Sequence, residues 1–187
     1  MKERIVLASG SPRRRQLLEW AEVDFEVIVS DAPETYPSGL PVGLVPIHVA
    51  RNKALAVKKQ LSPDRIVLAA DTVVVLDGDI IGKPVDREDA IGILSRLAGH
   101  QHEVVTGVVL SQGQKEIAFA ESTEVYFHEL TREQIENYVD KYRPYDKAGA
   151  YAIQEWIGVV GIRGIEGDFY NVMGLPVSRV VQELEKM

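Results

Sequence analysis

The sequence contains no cysteine among its 187 residues. That absence excludes disulfide bonds, zinc sites built on thiolates and a cysteine nucleophile. Positive charge is also scarce, because 21 lysines and arginines stand against 28 aspartates and glutamates, for a net charge of −7 and a pI of about 5.2. Such a chain is poorly suited to coating nucleic acid or an anionic membrane, and we expect neither as a partner. It can still bind one polyanion where its cations are concentrated.

Long hydrophobic runs are absent as well. No apolar stretch reaches the roughly 18–20 residues that a membrane-spanning helix needs. Residues 1–7 are too short and too charged for a signal peptide, so we expect a cytoplasmic protein. The length fits one domain, or two small lobes that share a core, and we predict a single domain over residues 1–187.

Helical and extended patterns alternate in the first half of the chain, and the middle is rich in strands. Strands are predicted at residues 4–8, 25–29, 65–70, 72–76, 79–81, 103–111 and 116–127, with a strand pair over 150–162. Helices are predicted at residues 13–20 and 46–61 and from Pro176. Two more are predicted from their caps, one after Asp86 and one after Thr131, where Gln134 completes a capping box. This order predicts an α/β fold, layered α/β/α around a central mixed sheet.

Residues 9–15, with the sequence SGSPRRR, lie between the first strand and the first helix. Ser11 suits the N-cap and Pro12 the first helical position, and the helix start offers free backbone N–H groups to an anion. Arg13 and Arg14 stand where the helix dipole favours acids, which indicates a phosphate cradle to which the Ser9 hydroxyl adds a donor. The ordinary alternative is a capped helix with solvated arginines. Neither a Walker loop nor a Gly-x-Gly-x-x-Gly motif is present.

Asp71 is a lone carboxylate between two apolar runs. An acid in such a strand is costly unless it is paired or functional, and ligands bind at strand ends in α/β sheets. The residue pattern leaves two roles open. One is a general base acting on water or a metal ligand, and the other is a buried structural acceptor.

Four further residues are weak candidates when each is taken alone. Lys83 follows a predicted Asp77-Gly78 hairpin turn, and Lys53 adjoins an inward-facing alanine, so it could line a cleft. Glu34 lies in an acidic, proline-containing loop that is ordinarily solvated. Gln154 carries one acceptor and two donors, which match the imide edge of uracil or thymine.

Two other catalytic arrangements are not supported by the sequence. His100 and His102 lie two apart and make a poor metal pair without further ligands, so a capping or strand-start role for His102 is favoured. The nucleophile elbow Gly-x-Ser-x-Gly of serine hydrolases is absent.

Taken together, several segments resemble the Maf family of nucleotide pyrophosphatases. They occur in the family's order along nearly the whole chain. They are SGSPRR at 9–14, ADTVV at 70–74, GKP at 82–84, GHQH at 99–102 with TGV at 106–108, DKAGAYAIQ at 146–154 and NVMGLP at 171–176.

The resemblance implies hydrolysis of a nucleoside triphosphate to the monophosphate and pyrophosphate. It also implies an elongated fold similar to that of inosine-triphosphate pyrophosphatase, with a cleft between two lobes. Asp71 matches the family's presumed general base. Arg13, Thr72 and Gln154 match the residues that mark the branch acting on dTTP and UTP. Other matches to the site are Ser9, Arg14, Glu34, Lys53 and Lys83. This sequence departs from the family at Ala152 and Glu155, where glycine is frequent.

A divalent cation fits this reaction, because Mg²⁺, or Mn²⁺ in its place, bridges phosphate oxygens and prefers hard oxygen ligands. Glu34 and Asp71 are the candidate ligands. Two alternatives to dTTP and UTP hydrolysis stay open. They are the 7-methyl-GTP branch and a nucleotide-binding regulator of cell division, since family members have been linked to septum formation. The sequence also leaves the oligomeric state open, with a homodimer as one candidate.

Overall fold

The computed structural model describes residues 4–187, so the start of the segment compared with a signal peptide lies outside the described residues. The strands are β1 Ile5–Leu7, β2 Phe25–Val27, β3 Val67–Leu76, β4 Asp79–Ile81, β5 Gln101–Gln112, β6 Lys115–Phe127 and β7 Ile162–Glu166. The α-helices are α1 Pro12–Trp20, α2 Val45–Lys58, α3 Arg87–Leu97, α4 Arg132–Tyr142, α5 Trp156–Gly161, α6 Phe169–Met173 and α7 Val177–Leu184. Two 3-10 turns lie at Val42–Leu44 and Ala148–Ala150. Across residues 4–187, no helix combines the length and the apolar character needed to cross a bilayer.

Seven strands form one sheet in the order β2-β1-β3-β5-β6-β7, and β4 pairs with β3. The β1–β2 and β1–β3 pairs are parallel, whereas the β3–β4 and β6–β7 pairs are antiparallel. The predicted α/β class with a mixed sheet is therefore confirmed.

The chain divides into two compact units. The first comprises the chain through Thr72, residues Thr106–Glu121 and residues Gly174–Met187, and the second comprises Val73–Val105 and Ser122–Met173. The core of the first unit is built from small and β-branched side chains on β1, α2, β3 and β5, which allow close packing of the helix on the sheet. They are Val6, Ala8, Ala50, Ala54, Val57, Val67, Ala69 and Val109.

Helix α2 begins directly on the backbone of strand β5 in the first unit. A Cβ atom added to Gly107 would come within 2.2 Å of the Ile47 nitrogen and 2.3 Å of the Pro46 carbonyl carbon. Real Cβ atoms do not approach backbone that closely. Glycine is therefore required at position 107, and this contact fixes where α2 starts.

Strand β3 differs from the prediction in a way that matters for the site. The sequence predicts one strand ending at residue 70 and another starting at residue 72, whereas a single strand runs through Asp71. The apolar residues on both sides continue the extended backbone, and an ion pair with Lys53 compensates the partly buried carboxylate. The parallel partner β1 pairs only with Val67 and Leu68, so Asp71 lies beyond the end of that pairing.

Turn and capping predictions in the second unit are confirmed. Asp77 and Gly78 both have positive φ, as a two-residue hairpin turn of type I′ requires. The Asp86 carboxylate accepts a hydrogen bond from the Asp89 N–H, and Thr131 and Gln134 form a reciprocal capping box.

The predicted strand pair over residues 150–162 is wrong. The structure has a 3-10 turn, then helix α5, and only then strand β7. The β-branched residues around 157–160 favour a strand by pattern. Gly158, however, approaches Ile153 so closely that a Cβ would lie 1.7 Å from its carbonyl oxygen, and this packing selects the helix.

Candidate active site

Arg14 in the first turn of α1 points into the first unit and is only 8% exposed. Its Nε donates to the Gly174 carbonyl oxygen at 2.8 Å. Its Nη1 donates to Ser9 Oγ at 3.1 Å, and its Nη2 donates to Thr72 Oγ1 at 3.0 Å. One guanidinium therefore joins the loop before α1, strand β3 and the loop before α7.

The helix start is arranged as the sequence predicts. Ser11 caps α1 by accepting a hydrogen bond from the Arg14 N–H, and Ser9 Oγ accepts from the Ser11 N–H at 3.3 Å. Arg13 is partly exposed and Arg15 is exposed, while Arg14 is buried. The three adjacent arginines therefore do not form one cationic row, because the Arg14 side chain turns into the protein interior.

A second group of side chains surrounds Lys53 on helix α2. Lys53 is 8% exposed, and its Nζ donates to Glu34 Oε1 and to Asp71 Oδ1, each at 2.7 Å. The Asp71 side chain is 15% exposed and that of Glu34 is 49% exposed. Three residues far apart in the sequence therefore meet at one ammonium group, as the assignment of all three to a site requires.

The two groups are electrostatically connected. Burial lowers the pKa of Arg14, and the nearby Arg13 lowers it further, whereas the charges of Asp71 and Glu34 raise it. The carboxylates on Lys53 therefore also act on the Arg14 guanidinium. Adjacent residues of strand β3 supply both connections, since Asp71 binds Lys53 and Thr72 binds Arg14.

Thr106 is a further polar residue of this group that its sequence position alone does not identify. It is fully buried, and its hydroxyl lies 2.9 Å from that of Thr72. Its place in the TGV segment at 106–108 was the available signal. The contact completes a chain of polar groups from Ser9 through Arg14 and Thr72.

The structure places the other two predicted site residues in the second unit, and both are exposed. Lys83 follows β4, and the neighbouring Gly82 carbonyl accepts a hydrogen bond from the Gly149 N–H at 3.1 Å. Gln154 lies in the turn before α5.

Two residues that contact Glu155, the neighbour of Gln154, were missed as candidates. The Tyr138 hydroxyl donates to Glu155 Oε2. Lys147 Nζ lies 3.6 Å from Glu155 Oε1 and 2.8 Å from Asp146 Oδ1. The acid beside Gln154, where the family often has glycine, is thus held by a tyrosine and a buried lysine.

His102 has the strand-start role that the sequence favours. It is the second residue of β5, is 2% exposed, and its Nε2 lies 2.8 Å from the Tyr151 hydroxyl. Among residues 4–187, no three His, Cys, Asp or Glu side chains are grouped so that they could hold a metal by themselves.

Known proteins are similar to this chain over nearly its whole length. A dTTP/UTP pyrophosphatase of Cytophaga hutchinsonii is 49% identical over 183 residues, which cover 98% of this chain and 84% of the relative. A dTTP/UTP pyrophosphatase of Parabacteroides distasonis is 47% identical over 185 residues, covering 98% of this chain and 96% of the relative.

Among solved structures, the Staphylococcus aureus Ham1 protein is similar at a TM-score of 0.48 and 19% identity, covering 67% of this chain and 72% of that one. The family model described as Maf-like protein matches residues 4–187. The chain therefore belongs to the Maf-like protein family.

Proposed function

We propose that this chain hydrolyses dTTP and UTP to the nucleoside monophosphate and pyrophosphate. The observation that carries the proposal is the ammonium of Lys53 held between the carboxylates of Glu34 and Asp71, at 2.7 Å from each. Relatives that are 43–49% identical and named dTTP/UTP pyrophosphatase supply the substrate class. They favour that class over 7-methyl-GTP.

In the reaction, Asp71 orients a water molecule and accepts its proton as the water oxygen attacks the α-phosphorus. A new P–O bond forms to that oxygen, the anhydride bond between the α- and β-phosphates breaks, and pyrophosphate leaves. A free aspartate is a weak base, with an ordinary pKa near 3.9, so positioning and charge neutralisation supply most of the barrier lowering. The Lys53 ammonium fixes the Asp71 carboxylate for this role.

The first turn of α1 is assigned to the triphosphate. The Ser9 hydroxyl is a donor, and Arg13, which is more exposed than Arg14, is the residue we assign to direct phosphate contact. Arg14 is assigned a supporting role, because its guanidinium already binds Ser9, Thr72 and Gly174. Lys83 is a further cation that we assign to the phosphates, as the resemblance to the family implies.

Glu34 and Asp71 also fit a divalent cation. Both are hard oxygen donors, and both already converge on one positive charge, the Nζ of Lys53. Mg²⁺ is commonly held by one or two carboxylates together with substrate phosphates, which agrees with a site of two acids. When bound, Mg²⁺ or Mn²⁺ would neutralise phosphate charge.

Base selection is assigned to Gln154, whose amide matches the N–H and carbonyl of a uracil or thymine imide edge. The net charge of −7 supports a free nucleotide, rather than nucleic acid or an anionic membrane, as the partner. We further propose that the protein acts in the cytoplasm. Light scattering during gel filtration will distinguish a monomer from a homodimer.

The proposal is tested by pyrophosphate release from dTTP, UTP, CTP, GTP and 7-methyl-GTP, with and without Mg²⁺. We expect the highest kcat/KM for dTTP and UTP, and loss of turnover when a chelator removes the metal. A preference for 7-methyl-GTP would contradict the assigned substrate. Nucleotide binding without turnover of any triphosphate would indicate the regulatory alternative.

A further inference from the structure

Gln154 lies inside a turn that is closed by its own backbone. The Glu155 N–H donates to the Ala152 carbonyl oxygen at 3.1 Å, which encloses Ile153 and Gln154. The Gln154 side chain is exposed, and the backbone of this turn sets the point from which it projects. The groups that hold the turn therefore influence what the amide can bind.

One hydroxyl contacts both ends of the turn. Tyr138 on helix α4 is 1% exposed, and its hydroxyl oxygen accepts a hydrogen bond from the Ala152 N–H at 3.3 Å. The same hydroxyl donates to the Glu155 carboxylate, which Lys147 approaches from its other oxygen. Burial and the neighbouring Glu155 charge raise the pKa of Tyr138, so it remains a neutral donor.

Helix α5 also packs against the 152–155 turn. The Gly158 Cα lies against the Ile153 carbonyl, and the Gly158 N–H donates to the Glu155 carbonyl oxygen at 3.0 Å. The helix therefore limits movement on one side of the turn. The Tyr138 hydroxyl contacts the two residues that close the turn, at its beginning and its end.

We propose that the Tyr138 hydroxyl is a positioning group for Gln154 and that it contributes to selection of the uracil and thymine bases. This inference rests on the proposed function, since it assigns a second residue to the base preference of the same reaction. Tyr138 does not touch the base. It acts by holding the 152–155 turn in one conformation.

The test compares Tyr138→Phe with Tyr142→Phe. The two rings stack with centroids 4.9 Å apart on the same helix, so the control removes a hydroxyl from the neighbouring ring. The first readout is amide hydrogen exchange over residues 150–156, which does not depend on activity. The second is the ratio of kcat/KM for UTP to that for CTP, with Gln154→Ala as the reference for lost selection.

We expect Tyr138→Phe to speed exchange in the turn and to lower the UTP/CTP ratio about tenfold, towards the value of Gln154→Ala. Tyr142→Phe should leave both readouts at wild-type values. Unchanged exchange in Tyr138→Phe would overturn the inference, and so would faster exchange with an unchanged ratio, which would make the tyrosine merely structural. Wild-type protein that does not turn over UTP would instead overturn the proposed function, and the role in base selection with it.

Discussion

The predicted site residues of the two units differ in how the protein holds them. In the first unit, Arg14, Lys53 and Asp71 are largely buried, and their charged groups bind other site residues directly. In the second unit, Lys83 and Gln154 are exposed, and Tyr138 holds the backbone of the turn that contains Gln154. Groups that stabilise developing charge work best when preorganised away from water, whereas groups that recognise an incoming base must be open to it.

This difference predicts two kinds of mutational response. Changes in the first unit should affect turnover and folding together, since each buried charge is also a structural partner. Changes at the exposed residues of the second unit should affect turnover or base preference and leave the fold intact.

The largest effect is expected for Asp71→Asn. The amide keeps the shape and can still accept a hydrogen bond from Lys53, but it cannot take a proton from water, so kcat should fall about a hundredfold or more. Pyrophosphate release from dTTP at saturating substrate measures this loss. Asp64→Asn, which changes an exposed acid of the same unit, is the control and should keep wild-type turnover. Wild-type turnover in Asp71→Asn would remove Asp71 from the mechanism.

The next largest effect is expected from the protonation of His102, a buried residue of the second unit. It concerns the free energy of unfolding and not turnover. Burial among the rings of Phe127 and Tyr151 lowers the pKa of His102 from 6.5 to about 4, and its Nδ1 has no hydrogen-bond partner within residues 4–187. Between those two values the unfolded chain binds a proton that the folded chain does not. Stability should therefore fall as the pH falls, by about 1.4 kcal/mol per pH unit from this residue.

Urea unfolding at pH 7 and pH 5 measures this contribution. His102→Gln, which can still hydrogen-bond the Tyr151 hydroxyl, should lose less stability than wild type between the two values. An equal loss in both proteins would show that His102 is protonated in the fold. That result would also contradict the difference between the two units, because the second unit would then hold a charged group in its interior.

A smaller effect is expected for Arg14→Lys. A lysine ammonium cannot reproduce the planar contacts to Gly174, Ser9 and Thr72, so we expect about a tenfold loss of kcat/KM together with a lower melting temperature. Arg15→Lys changes the exposed neighbour and should change neither quantity. Loss of activity at an unchanged melting temperature would show that Arg14 serves the substrate alone.

Lys83→Ala should give the smallest effect, about a fivefold loss of kcat/KM with an unchanged melting temperature. The side chain is exposed, so its removal leaves no cavity. Lys141→Ala, at an exposed lysine of the same unit, is the control. A collapsed melting temperature for Lys83→Ala would indicate a structural lysine and would remove the contrast between the units.

Local features of the fold could be predicted because they depend on neighbouring residues. The Ser11 cap, the Asp77-Gly78 turn and the Thr131 capping box each need only a short segment and its backbone geometry. The adjacent Ala54 suggested that Lys53 could line a cleft, and the structure buries both residues on α2.

Features that depend on distant residues could not be predicted in this way. Strand β3 continues through Asp71 because Lys53 neutralises the carboxylate, and that partner is 18 positions away in the sequence. The inward turn of Arg14 depends on the Gly174 carbonyl, 160 positions away. Helix α5 replaces a predicted strand because Gly158 packs on the Ile153 backbone, which a hydrophobic pattern does not encode.

The backbone of Gly107 lies directly against the backbone at the start of α2, and this contact sets the position of the helix that carries Lys53. Lys53 lies six residues after Ile47, about 9 Å further along the helix axis. A methyl group at position 107 would have to lift the helix, and the ammonium would be carried away from Asp71 with it. We therefore expect Gly107→Ala to lower activity, although this residue has neither a side chain nor a charge.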